Sequence, residues 1–150
     1  QFGPLKGLEY QKNLERLAFT AGGRTQTAPA QRLVDFVDGK LSSNLNETSY
    51  QPGLNSAPMH SLLPKLIGSR LRKGFEAFGR KMHGYYTNEA NIVGVESRTS
   101  SPVNIPRKEN LEHPEIKGLF PCGEGGGYAG GIVSAAMDGE RCAEAAIELL

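Results

Sequence analysis

The chain has 150 residues, 17 Lys and Arg against 16 Asp and Glu, a formal net charge of +1 and 38% hydrophobic residues. That length suffices for one buried core. The near-balanced charge argues against a polyanion-binding surface as the main role, and no apolar run approaches the ~18 residues of a membrane span.

Gln1-Phe2-Gly3-Pro4 holds no initiator Met and no signal peptide, so the chain reads as a piece of a longer cytoplasmic protein. Leu8–Ala21 places Tyr10, Leu14, Leu17, Ala18 and Ala21 at helical spacing, and Gly22-Gly23 stops it. Thr25–Ala28 reads as a linker. Pro29 suits a first helical position, so a short helix is expected through Ala30–Val37, closed by Gly39. Ser42–Ala57 is rich in Ser, Asn, Pro and Gly and reads as a long loop, with a tight turn at Tyr50-Gln51-Pro52-Gly53. Pro58–Leu63 allows one helical turn.

Lys65–Met82 is the clearest amphipathic helix, with Ile67, Leu71, Gly74, Phe75, Phe78 and Met82 on one face. Lys65, Arg70, Arg72, Lys73, Arg80 and Lys81 lie on the other. A solvated face explains them better than a nucleic-acid patch. Glu89–Glu96 alternates and is β-branched, which predicts a strand. Val103–Ile105 predicts a second short strand, and Arg107–Ile116 a charged loop. Gly118–Cys122 reads as a buried strand, and Ile132–Leu149 as a final helix. Gly139 within that helix suggests close packing against another element, and Asp138 is expected to face solvent.

Between that strand and helix lies a turn made almost only of glycine. Gly125-Gly126-Gly127-Tyr128-Ala129-Gly130 matches G-x-G-x-x-G literally. A nucleotide fingerprint needs a βαβ unit of ~30 residues and a later acidic residue, and only one helix follows here. A P-loop fails as well, because no Lys-Ser or Lys-Thr follows the glycines. What remains is a late element of a site for a large anionic ligand: bare backbone, then a helix N-terminus with unpaired amides. Cys122 and Cys142 form neither a C-x-x-C pair nor a metal spacing, so reduced thiols are expected. His60, His83 and His113 sit in unrelated contexts and predict no metal site and no catalytic triad.

Gly118-Leu119-Phe120-Pro121-Cys122-Gly123-Glu124 resembles the last FAD-contacting motif of glutathione-reductase-like flavoproteins, an apolar strand ending in Gly-Asp or Gly-Glu. With Glu96-Ser97-Arg98-Thr99-Ser100-Ser101-Pro102 and Gly123–Ile132, the wider pattern resembles the C-terminal part of a bacterial group of FAD-dependent dehydrogenases. The resemblance implies cofactor contacts along Gly123, Glu124, Gly125, Gly126, Gly127, Tyr128, Ala129, Gly130, Gly131 and Ile132. In it the Glu124 carboxylate accepts a hydrogen bond from a ribityl hydroxyl. The amides of Gly130, Gly131 and Ile132 face the pyrimidine edge of the flavin, where reduction places charge. Tyr128 either stacks on the ring or anchors the loop. Arg98, Thr99 and Ser100 neighbour the flavin or bind a substrate anion, unless Arg98 pairs with Glu96 or Glu124.

The expected fold class is α+β, a fragment of an α/β FAD-binding protein. Residues 1–88 would be a helical, insert-like part of a substrate domain, and residues 89–150 the closing strand–turn–helix of the FAD-binding domain. The implied function is that of an FAD-dependent oxidoreductase transferring hydride through flavin, with the catalytic residues unassigned. The implied partners are an N-terminal Rossmann segment of the same protein, a small-molecule substrate and NADH, NADPH or another electron donor. The 150 residues alone are expected to bind FAD weakly or not at all, to lack activity, and to cover exposed apolar edges by dimerising. The alternative is a non-catalytic module that holds protein or nucleic acid on the basic helix 65–82.

Overall fold

Hydrogen-bonded helices form where the apolar period is longest. The computed structural model describes residues 3–97 and 100–149. After a 3₁₀ turn at Gly3–Leu5 come α1 (Lys6–Ala21), β1 (Ala28–Arg32), α2 (Leu33–Asp38), β2 (Leu54–Ser56), α3 (Met59–Leu62), α4 (Lys65–Lys81), β3 (Asn91–Val93) and α5 (Ile132–Ile147). The fold is α+β, as expected. It forms two compact units, Asn13–Glu96 and Gln1–Lys12 with Ser97–Leu150.

In the Asn13–Glu96 unit, α1 buries Leu14 and Ala18, four residues apart on one stripe. It ends as predicted: the Gly22 amide bonds Ala18 O at 2.8 Å, and Gly23 turns at φ 90°. The helix predicted to open at Pro29 opens later. Ala28–Arg32 is instead the central strand of a sheet ordered β2-β1-β3, parallel to β2 and antiparallel to β3. Pro29 fits because its carbonyl, not the amide it lacks, makes a bond to the next strand, accepting from Gly94 N at 3.2 Å. Ala30 and Gln31 are fully buried, which a central strand requires. The long loop expected over Ser42–Ala57 also holds β2, and the strand expected over Glu89–Glu96 shortens to β3.

The core of this unit is Leu14, Leu33, Phe36, Val37, Met59 and Leu63, with Phe75 edge-on to Phe36 at a centroid distance of 5.9 Å. Helix α2 ends at Gly39, whose φ of 73° lets Lys40 N reach Asp35 O at 2.8 Å. Gly68 is the buried residue of α4; a Cβ there would stand 3.6 Å from His60 O, an ordinary contact with α3. The rest of the predicted α4 stripe stays half-exposed: Ile67, Leu71, Phe78 and Met82. Of its basic residues, Arg72 is not simply solvated, since its Nε donates to Val37 O at the end of α2 at 2.6 Å.

The other unit contains no β-ladder among the described residues. Val103–Ile105 and Gly118–Cys122, both predicted as strands, form none, and Gly118 sits in a turn at φ 75°. Their backbone groups are met by loops and side chains instead. Ile105 N donates to Gly126 O at 3.1 Å, His113 N to Leu119 O at 2.7 Å, and Arg107 Nη1 to Pro121 O at 3.0 Å. Strand-like composition alone does not supply a neighbouring strand. No helix among the described residues is long and apolar enough to cross a membrane.

Candidate functional site

The glycine turn is fastened from both ends. Gly127 N donates to Glu124 O at 2.9 Å and Tyr128 N to Gly123 O at 3.0 Å, closing the turn on itself. Asn104 Nδ2 donates to Gly127 O at 3.2 Å, joining it to the 101–105 segment. Two glycines are demanded by this packing. At Gly127, φ is 82° and a Cβ would stand 2.7 Å from Val103 O; at Gly126 it would stand 3.1 Å from Cys122 N and O. Gly125 is different: no atom lies within 4 Å of where its Cβ would be.

Glu124 and Gly125 line a groove of ≈ 350 Å³ with Ser100, Ser101, Pro102, Leu8 and Gln11. Ser100 and Glu124 thus line the same groove. Arg98 and Thr99 lie outside the described residues. The start of α5 does not line this groove. Gly130, Gly131 and Ile132 are exposed there, Ile132 at 93%. The Gly131 amide is already engaged: it donates to Ser134 Oγ at 3.2 Å, and that hydroxyl donates back to Gly131 O at 3.0 Å. Helix geometry leaves the first-turn amides of Ile132 and Val133 without an intrahelical acceptor. The predicted residues thus form two patches, a carboxylate-lined groove and an open helix start, joined by the turn.

Tyr128 anchors the loop. Its hydroxyl donates to Ile105 O at 2.7 Å, and the Arg107 guanidinium carbon lies 3.6 Å from its ring centroid. Arg107 leads to the cluster that sequence reasoning missed. Its Nη2 and Nη1 donate to Asp138 Oδ1 at 2.8 Å and Oδ2 at 3.0 Å, and Gly123 N donates to Asp138 Oδ2 at 2.9 Å. Asp138, expected to face solvent, is buried: the two side chains are 11% and 9% exposed. The Arg107 hydrogen bonds, then that of Gly123, hold the Asp138 carboxyl below its ordinary range. The same bonds to Asp138 push Arg107 up. The available signal was the position of Asp138 four residues before Cys142, on a face otherwise filled by Ala135 and Ala145. Beside Gly139, also on α5, no atom lies within 4 Å of a built Cβ, so the packing expected there is not made by the described residues.

An FAD ring at this corner needs free donors and room for a flat apolar body. The residues fit that requirement. The first-turn amides are open, a Cβ on Gly131 would meet only Ser134 Oγ at 3.5 Å, and Ile132 and Val133 present exposed apolar surface. No group of three or more His, Cys, Asp or Glu that could hold a metal occurs among the described residues.

The profile of a family described as "FAD-dependent protein, C-terminal domain-like" matches residues 1–99. The chain belongs to that family. The matched stretch holds the sheet-bearing Asn13–Glu96 unit and stops short of the glycine turn. A relative from Clostridium beijerinckii, named only as an uncharacterized protein, is 42% identical over 147 residues. That alignment covers 97% of this chain and 28% of the relative, so the chain spans under a third of the relative's length.

Proposed function

We propose that the chain is the C-terminal part of an FAD-dependent oxidoreductase and supplies the last contacts to the flavin. The observation that carries this reading is the preformed glycine turn, which delivers a carboxylate at one end and an open helix start at the other. Family membership supports FAD, and the resemblance of Gly118–Ile132 to a flavin-contacting motif supports the location. Ile132 N–H and the backbone at Gly130 would hold the pyrimidine edge. Glu124 would fix a ribityl hydroxyl, with Ser100 beside it. Bound FAD would supply the hydride-transfer chemistry. The chain's own part is to orient the cofactor and to aim fixed backbone dipoles at one edge of the ring, without reorganising when charge develops there. The adenine and pyrophosphate would rest on a Rossmann segment elsewhere in the full protein, which would also meet NADH, NADPH or another donor.

Fluorescence titration tests the division of labour. The 150-residue chain is expected to bind FAD weakly or not at all, and stoichiometric tight binding would overturn it. In the full-length protein, Glu124→Gln removes one charge-assisted hydrogen bond and should weaken FAD binding about tenfold to a hundredfold. Unchanged affinity in a folded Glu124→Gln protein would remove Glu124 from the site.

A further inference from the structure

Cys122 is exposed, Cys142 is buried, and both are free thiols. Their neighbours tie the two together. Gly123 N donates to Asp138 Oδ2 at 2.9 Å, and Cys142 Sγ donates to Pro121 O at 3.9 Å. Asp138 and Cys142 lie four residues apart on α5 and so share one face. The residues on either side of Cys122 are thus both held to the face that carries Cys142. Burial is the main reason the Cys142 thiol stands above its usual range, and the nearby Cys122 acts in the same direction. Arg107 Nη1 lies 3.4 Å from Cys142 Sγ, facing any negative charge that develops there.

We propose that Cys122 and Cys142 form a dithiol that closes to an intramolecular disulfide under hydrogen peroxide. The exposed Cys122 thiol gives up its proton and its thiolate attacks one peroxide oxygen; the O–O bond breaks, the departing hydroxide takes up that proton and leaves as water, and Cys122 becomes a sulfenic acid. The Cys142 sulfur then attacks the Cys122 sulfur; the S–O bond breaks, a second water leaves with the Cys142 proton, and the S–S bond forms. Two thiols are oxidised and one peroxide is reduced. The product fastens Pro121–Gly123 to α5 immediately before Glu124. A redox modification of the segment that carries the proposed cofactor contact follows, but the dithiol itself rests only on contacts within the unit and stands or falls apart from the flavin reading.

The test uses the 150-residue chain with hydrogen peroxide, followed by maleimide labelling in denaturant and mass measurement. The expected product is a monomer lighter by two hydrogens, with neither cysteine labelled, a cross-linked Cys122–Cys142 peptide, and reversal by dithiothreitol. Closure should run at least about tenfold faster in the native chain than in denaturant, because the fold holds the sulfurs together. Three results would overturn the proposal: added oxygen on Cys122 with Cys142 still labelled, covalent dimers through Cys122, or equal rates in native and denatured protein. All of them are read on the wild-type chain, so none depends on a variant folding. Cys122→Ser and Cys142→Ser serve as controls in which the two-hydrogen loss disappears.

Discussion

Replacing Asp138 by Asn keeps its shape but leaves the Arg107 guanidinium buried without a counter-charge. The change removes the negative charge from all three bonds, those of Arg107 at 2.8 and 3.0 Å and that of Gly123 N at 2.9 Å, and turns one of the two acceptor oxygens into a donor amide. Bonds to charged groups contribute about 1.5–3 kcal/mol each, and breaking one side of a buried pair costs about 3–5 kcal/mol. The two ranges agree, so we expect about 3–5 kcal/mol in the Ser97–Leu150 unit. Amide hydrogen exchange reads this locally. The Gly123 N–H should lose protection by about a hundredfold or more, while amides in β1 keep theirs. Replacing Arg107 and Asp138 together by Leu should recover most of the loss, because no unpaired charge remains. The pH dependence has a definite sign. Asp138 has a folded pKa below its unfolded value of about 3.9, so its contribution is present above that pH and disappears as pH falls through the folded value. A change below about 0.5 kcal/mol for Asp138→Asn, with unaltered Gly123 exchange, would refute the view that this pair organises the unit.

His60 is held below its ordinary pKa, first by burial and then by the Arg72 cation. The unfolded chain therefore takes up a proton first as pH drops below about 6.5, and stability falls; urea titrations at two pH values should show that His60→Gln flattens this slope. Gly127→Ala should destabilise by more than about 1 kcal/mol, since it forces a side chain into φ 82° against Val103 O, whereas Gly125→Ala, with open space beside it, should leave thermal unfolding nearly unchanged. Equal effects of the two would contradict the distinction between a packing glycine and an open one. Phe36→Ala should cost about 3–5 kcal/mol in the Asn13–Glu96 unit, because Phe36 is fully buried in its core.

Long periodic segments were legible from sequence. The apolar stripes of α1 and α4 and the small-residue run of α5 announced helices, and Gly23 and Gly39 announced where helices stop. β1 was not legible, because Pro29 followed by Ala imitates a helix start and only the partner strands reveal that its amide is not needed. β2 hid in a polar loop because three residues carry almost no periodic signal. Gly118–Cys122 misled in the opposite way: its composition suits a sheet, but pairing is a property of neighbours. At the site, Glu124 and Ser100 line one groove, while the start of α5 lies outside it. Arg107 escaped notice because its partner lies on another element, 31 positions away, and charge pairing at that range leaves no local pattern.

The sheet has a consequence for handling the protein. Its longest strand, β1, has five residues and is covered on both sides, while the two outer strands, β2 and β3, offer three residues each. Such short rims give an incoming chain too few backbone groups to nucleate a cross-β stack. In concentrated solution, any clumping of this protein should proceed through the greasy sides of its helices and be reversed by mild detergent, rather than grow as dye-binding fibrils.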